Sequence, residues 1–245
     1  MSLIGRERSG VPSQGRSASK RRALPIRRVL WLTLLVILAL PVAFVAAYRV
    51  VNPPITPLML IREHEGEPLH QTWVPLSQIS PWLPRAVIAS EDQRFCQHYG
   101  FDFDAMGDAI ARYRRTGKLR GASTISQQTA KNLLLWPWHS FIRKGIEAYI
   151  TVWLELLWPK SRILEVYLNV IELGHGIYGA EAAAEVHFHK HAAALTKHEA
   201  AILAAILPNP RRFSADHPSA YVEDRAGEIE RWMGDVQVPG SAGCR

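Results

Sequence analysis

From Val29 to Tyr48 the chain reads VLWLTLLVILALPVAFVAAY, a run of about twenty residues without a charge. As a helix rising 1.5 Å per residue it spans the roughly 30 Å hydrocarbon core of a bilayer. This run therefore predicts a transmembrane helix over residues 29–48. Pro41 inside it is compatible, because membrane helices tolerate proline, and Trp31 and Tyr48 lie near the two expected interfaces. A cleaved secretory leader begins in the same way, but its apolar core is only about 7 to 15 residues long. The flanks set the orientation. Arg6, Arg8, Arg16, Lys20, Arg21, Arg22, Arg27 and Arg28 precede the run, opposed by Glu7 alone. A basic flank stays on the cytoplasmic side, so the remainder is expected outside, in the periplasm of a bacterium with an inner membrane.

The same count disposes of another reading. A formal charge of +7 and a pI near 9.6 suggest a nucleic-acid partner. The whole excess lies in residues 1–28, however, and the rest is formally neutral. No basic face is left for a nucleic acid on the folded part. Residues 1–28 are expected to be a cytoplasmic basic tail, and 49–80, with prolines and mixed polarity, a short extended periplasmic stem. The folded domain is expected over 81–215, with a C-terminal helix and tail over 216–245. The two cysteines are Cys96 and Cys244. An oxidising compartment permits a bridge, but Cys244 is next to last on a Gly- and Ser-rich tail, and both are read as free.

After residue 80, helix punctuation dominates and alternating strand patterns are nearly absent. Pro84 opens an apolar-periodic run through Val87, Ile88 and Phe95. Ser123 or Thr124 caps a helix from Ile125 to about Leu135, Ser140 one from Phe141 to Leu157, and Ser161 begins one through Asn169. Thr196 with Glu199 three residues on forms a capping box ahead of AAILAAIL, which Pro208 stops. The fold class expected is mainly α, with one core.

Three blocks carry chemistry. In SEDQRFCQHYGFD, helical spacing sets Glu91, Phe95 and His98 on one face, with Asp92 beside the glutamate. An apolar wall raises a carboxyl pKa towards neutrality, which suits acid or base work on sugar hydroxyls. The same spacing also describes a solvated face with Phe95 in the core. In GASTISQQTAKN, Thr124, Gln128 and Lys131 share a helix face that presents hydroxyl, amide and ammonium groups, the set needed to hold sugars and a phosphate. In RKGIE, Arg143, Lys144 and Glu147 place two cations and a carboxylate within one turn. They suit a pyrophosphate, bound directly or through a divalent metal on Glu147, and equally an exposed ion pair. His187, His189 and His191 alternate, but residues two apart diverge on a helix, so packing or surface roles are expected rather than a metal site.

In this order, and followed by KSRILEVYLNVIELGHGIYGAEAAAEVHF, these blocks resemble the monofunctional biosynthetic peptidoglycan transglycosylases, relatives of the glycosyltransferase domain of class A penicillin-binding proteins. The resemblance covers roughly 80–215. It rests on E-D-x-x-F-x-x-H-x-G at Glu91–Gly100, S-T-x-[ST]-Q-Q-x-x-K-N at Ser123–Asn132, R-K-x-x-E at Arg143–Glu147 and K-x-x-I-L-E-x-Y-L-N at Lys160–Asn169. Ala122, Ser126 and His187 depart from the usual glycine, threonine and tyrosine, and none of these changes removes a proposed catalytic group.

The resemblance implies a lysozyme-like helical glycosyltransferase domain behind an N-terminal transmembrane helix, acting on lipid II at the bilayer with inversion. Glu91 would be the general base on the acceptor 4-hydroxyl. Lys131, Arg143 and Lys144 would steady the leaving pyrophosphate, with Glu147 as the second catalytic carboxylate. Asp92, Phe95, His98, Thr124, Gln128, Asn132, Glu165 and Asn169 would orient substrate or support the site. The cofactor allowed for is a divalent cation, Mg2+ or Mn2+. The partners are lipid II, the growing glycan strand, the bilayer and divisome or elongasome proteins. With no second domain after residue 215, peptide cross-linking is not expected. Two other readings share features: a lytic transglycosylase shares the fold and the glutamate, and a non-catalytic scaffold of wall synthesis shares the anchor. The tryptophans of LLLWPWHSF, 133–141, suit the bilayer interface as well as a core.

Overall fold

Thr196 and Glu199 close the capping box that their spacing predicts. The Glu199 backbone N–H donates to Thr196 Oγ1 at 3.3 Å, and Glu199 Oε2 accepts the Thr196 N–H at 2.8 Å. The helix they start is buried from Ala200 to Ile206. Its alanines let neighbouring helices approach closely, and it forms the centre of the domain. The computed structural model describes residues 26–117, 121–138 and 140–244. Among these there are ten α-helices: α1 Ile26–Tyr48, α2 Pro57–His64, α3 Trp82–Glu91, α4 Phe103–Thr116, α5 Ile125–Leu134, α6 Phe141–Leu157, α7 Lys160–Val170, α8 Gly179–Phe188, α9 Lys197–Ile206 and α10 Ala220–Trp232. They mostly obey the punctuation read from the sequence: Thr124 caps α5, Ser140 caps α6, and α9 ends at Ile206, two residues before Pro208.

The chain divides into two compact units, Met1–Leu38 and Ala39–Arg245. The described part of the first is Ile26–Leu38, the first part of α1; the whole helix, Ile26–Tyr48, is long and apolar enough to cross a membrane and fits a single-pass anchor. The basic tail expected over 1–28 lies outside the described residues up to position 25. In the second unit, α9 packs on α3 and α10, while α5 packs on α6 and α7. α7 buries Ile163, Leu164, Val166, Tyr167 and Leu168. Carbonyls in the last turn of α1 receive donors from later in the chain. Trp158 Nε1 donates to Val45 O at 2.7 Å and Arg162 Nη2 to Tyr48 O at 2.9 Å.

The extended stem expected over 49–80 is instead part of this unit. Thr56 caps α2, Met59 is fully buried, and His70–Gln71 forms strand β1. The Asn169 side chain exchanges hydrogen bonds with both backbone groups of Val74 at 2.9 Å, and Glu165 Oε2 accepts the Leu76 N–H at 2.9 Å. These polar groups lie almost a hundred residues away in sequence, so nothing local announces them. Nor does the domain stop at 215, because Val222, Ala226, Ile229 and Met233 are buried from α10 onward. A small sheet also escaped the pattern reading. β2 Glu172–Gly174 and β3 Ile177–Tyr178 form a hairpin to which β1 adds in parallel, in the order β1–β3–β2. Gly176 makes that approach possible: its φ is +68°, and a Cβ there would lie 1.9 Å from Pro68 O.

Cys96 and Cys244, read as free from the sequence, form a disulfide across 148 positions. Gln237 O lies 3.4 Å from Cys96 Sγ, so the tail folds back onto the turn that holds Cys96. Composition made the tail look detached, whereas long-range packing of α10 returns it. Closing so long a loop restricts the unfolded chain, and Cys96→Ser with Cys244→Ser is expected to lower stability by about 2–4 kcal/mol. A chemical denaturation midpoint unchanged from wild type would show that the bridge constrains nothing. The three histidines have different partners. His187 Nε2 pairs with Leu173 O, His189 ends α8 at φ 55°, and His191 Nδ1 meets Glu181 Oε1 at 2.6 Å.

Candidate active site

α3 does not continue through Phe95 as the apolar spacing predicts. It ends at Glu91, and Asp92 leaves helical geometry at φ −160° and ψ 70°. A longer-range bond outweighs local periodicity here. Asp92 Oδ2 accepts the Ile125 N–H at 2.9 Å, joining the end of α3 to the start of α5, and Oδ1 meets His98 Nε2 at 2.8 Å. Glu91, Phe95 and His98 therefore share no helix face. Phe95 is fully buried, with Lys160 Nζ 4.5 Å from its ring centroid, and His98 packs edge-on against it. Both support the turn rather than face a substrate. Thr124 is likewise built in, accepting from Gln127 N and donating to Gly100 O at 2.7 Å. Glu165 and Asn169, expected to orient substrate, are the struts that hold 74–76.

What remains is two polar groups joined by Ser123. In the first, Gln128 Nε2 donates to Glu91 Oε2 at 2.8 Å, and Tyr167 Oη donates to Gln128 Oε1 at 3.1 Å. Burial pushes the Glu91 carboxyl up from the ordinary glutamate range, against the Gln128 hydrogen bond and the charges of Arg225 and Lys131. In the second, Glu147 is buried between two cations. Oε2 accepts from Arg143 Nη1 at 2.8 Å and Oε1 from Lys144 Nζ. Lys144 Nζ also reaches Ser123 Oγ at 3.0 Å, while Ser123 O lies 3.5 Å from Gln128 Nε2. Lys131 stands electrostatically between the groups. Burial pushes its ammonium down, Glu147 and Glu91 hold it up, and Arg143 and Lys144 add to the depression. Asn132, next to it on α5, is half-buried.

A cleft of about 760 Å³ opens on Glu91 and Ser123 and extends to Arg112 of α4 and to Arg225 and Trp232 of α10. The α10 residues were not expected at the site, because 216–245 was read as a C-terminal helix and tail outside the domain. Tyr167 was not expected at the site either, although its place two residues before Asn169 in a buried helix was the available signal. The donor set does not fit a divalent ion held by protein. Glu147 is the carboxylate among the three cations, and both its oxygens already hold cations. Chemically the arrangement offers a half-buried carboxylate, at the cleft, able to take a proton and, across Ser123, a cluster of positive charges for an anionic leaving group.

Known proteins resemble this chain over most of its length. A family model described as Transglycosylase matches residues 59–233, which takes in most of α2 and all of α10. A biosynthetic peptidoglycan transglycosylase of Caulobacter vibrioides is 50% identical over 219 residues, covering 89% of this chain and 96% of the relative. Its counterpart from Rhodospirillum centenum is 54% identical over 204 residues, covering 83% and 88%. One from Xylella fastidiosa is 47% identical over 225 residues, covering 89% and 92%.

Proposed function

The chain belongs to the transglycosylase family and is a peptidoglycan glycosyltransferase, and from that premise we propose that it polymerises lipid II into β-1,4-linked glycan by an inverting displacement. One observation carries the reading: a half-buried, amide-held Glu91 is linked through Gln128 and Ser123 to Lys144 of the Arg143–Lys144–Glu147 cluster, with Lys131 within electrostatic reach of both carboxylates.

A sugar hydroxyl is a poor nucleophile at neutral pH, and a positioned base supplies about 10²- to 10⁴-fold. Gln128 occupies Glu91 Oε2, so Oε1 is the atom that takes the proton from the acceptor 4-hydroxyl. That oxygen attacks the anomeric carbon of the donor MurNAc as the bond to the pyrophosphate breaks. Undecaprenyl pyrophosphate departs with the bonding pair. Its developing charge falls to Lys131, Arg143 and Lys144, which replace a general acid because the leaving group is already an anion. Glu147 holds two of those cations in place. A hydrolase cutting a finished strand has no pyrophosphate to clamp, so the cation cluster favours synthesis over cleavage.

The experiment is incubation of the detergent-solubilised full chain with labelled lipid II. Polymer that lysozyme digests supports the reading. No polymer, beside an active control enzyme, supports the scaffold, and solubilised fragments from isolated sacculi support the lytic alternative.

The proposed setting is the inner membrane, with the N-terminus cytoplasmic and the catalytic unit periplasmic. A substrate with a C55 tail keeps that tail in lipid, and the apolar residues after α5 suit the interface. Trp138 and Phe141 are 65% and 97% exposed, whereas Trp136 packs against the core. Trp136→Ser therefore reports on packing, and the informative change is Trp138→Ser with Phe141→Ser. In a chain starting at Arg49, that pair is expected to weaken liposome co-sedimentation about tenfold or more. Equal sedimentation would remove this segment from the membrane contact.

A further inference from the structure

Gln128 can turn either end of its amide towards Glu91, and only one end helps a general base. An N–H steadies the carboxylate, whereas a carbonyl oxygen repels it and drives it to hold a proton. The amide makes three contacts: Nε2 to Glu91 Oε2 at 2.8 Å, Nε2 to Ser123 O at 3.5 Å, and Oε1 from Tyr167 Oη at 3.1 Å. Tyr167 is fully buried on α7, packed against α5. Its hydroxyl is the group that fixes the acceptor end of the amide. Resting on the reading of Glu91 as the base, we infer that Tyr167 is a positioning residue, which orients the Gln128 amide so that its N–H faces the carboxylate.

Burial, with the nearby Glu91 and Asp92 charges, keeps the Tyr167 phenol well above its ordinary value, so it remains a donor throughout the working range. The other groups bearing on Glu91 are Lys131 of α5, Arg225 of α10 and the adjacent Asp92. α9, also packed on α3, keeps its charged residues Lys197, His198 and Glu199 in its first turn. There His198 pairs with Glu230 and Glu199 with Lys190. None of these groups touches the Gln128 carbonyl. The lever is therefore particular to Tyr167, and it acts on the protonation of Glu91 rather than on its place in the cleft.

The test reads Glu91 directly, so it does not depend on turnover. In 13C-glutamate-labelled full chain in detergent, the Glu91 carboxyl resonance is assigned by its loss in Glu91→Gln and followed against pH. Tyr167→Phe keeps the ring and removes the donor, and the Glu91 midpoint is expected to rise by about half to one pH unit. Gln128→Met removes the amide without touching the phenol and moves the midpoint in the same direction. Adding Tyr167→Phe to Gln128→Met then moves it no further. A midpoint unmoved in Tyr167→Phe, or one that moves again in the double variant, overturns the inference. If Tyr167→Phe does not fold, an unmoved midpoint in Gln128→Met overturns it alone. In the polymerisation assay the acid limb of kcat follows the same shift with KM for lipid II unchanged, whereas a loss equal at every pH marks a merely structural role. Absence of polymer from wild type would refute the function while leaving the titration result standing.

Discussion

Glu91→Gln is expected to lower the polymerisation rate about 10²- to 10⁴-fold without lowering the melting temperature. The two halves of that result have different causes. The rate falls because an amide cannot accept the hydroxyl proton, and the cations that remain act only on the leaving group. Stability survives because burial raises the Glu91 carboxyl above its usual value. For an acid raised in this way, the folded state prefers the proton more than the unfolded state does. Its contribution to stability is therefore best at low pH and declines as pH rises through the folded value. At neutral pH the wild type carries that cost and the glutamine variant does not. The side chain at 91 still meets Gln128, now as carbonyl to amide. The wild-type rate profile should carry the same signature: an acid limb above that of an ordinary glutamate and, from the depressed Lys131, an alkaline limb below that of an ordinary lysine. A Glu91→Gln variant with near wild-type rate would assign the base elsewhere.

The parts of this molecule that were legible from sequence are those whose causes are local. Thr124, Ser140 and Thr196 each satisfy a backbone N–H three residues on, so α5, α6 and α9 begin where a reader of caps puts them. Arg143, Lys144 and Glu147 meet because one helical turn brings them together, and the spacing alone forecast it. The failures lie where a distant partner decides. Asp92 breaks α3 in order to hold the start of α5, which pulls Phe95 and His98 off the expected face. Asn169 and Glu165 look like site residues in their motif, but they spend their polar groups on Val74 and Leu76 and so fold the supposed stem. Cys244 was dismissed for the company it keeps, Gly and Ser, although α10 returns it to Cys96. Tyr167 combines both cases: its burial follows from helical periodicity, while its contact with Gln128 depends on how α5 crosses α7. In this chain the clustering of Arg143, Lys144 and Glu147 was readable, and the scaffold around it was not.

Glu147→Gln is expected to cost about 3–5 kcal/mol of stability and most of the activity, and the two losses should separate on a second substitution. Arg143 and Glu147 are both buried, and their contact at 2.8 Å is what makes a guanidinium tolerable there. Removing the carboxylate leaves that charge without compensation in a site of low polarity, which is the costly way to break a buried pair. Lys131 is affected as well. Burial already depresses it, and Glu147 is the first of the charges that hold it up. Without Glu147, Lys131 loses its proton more readily, and the cluster offers the pyrophosphate less charge. Arg143→Met with Glu147→Met removes both ions at similar volume, and such replacements in other proteins are often neutral or stabilising. The double variant should therefore regain most of the melting temperature while remaining inactive on lipid II. If activity returned along with stability, the pair would be structural only, and the cation work would fall to Lys131 and Lys144. If neither returned, the cost would lie in the packing around residue 147 rather than in the stranded charge.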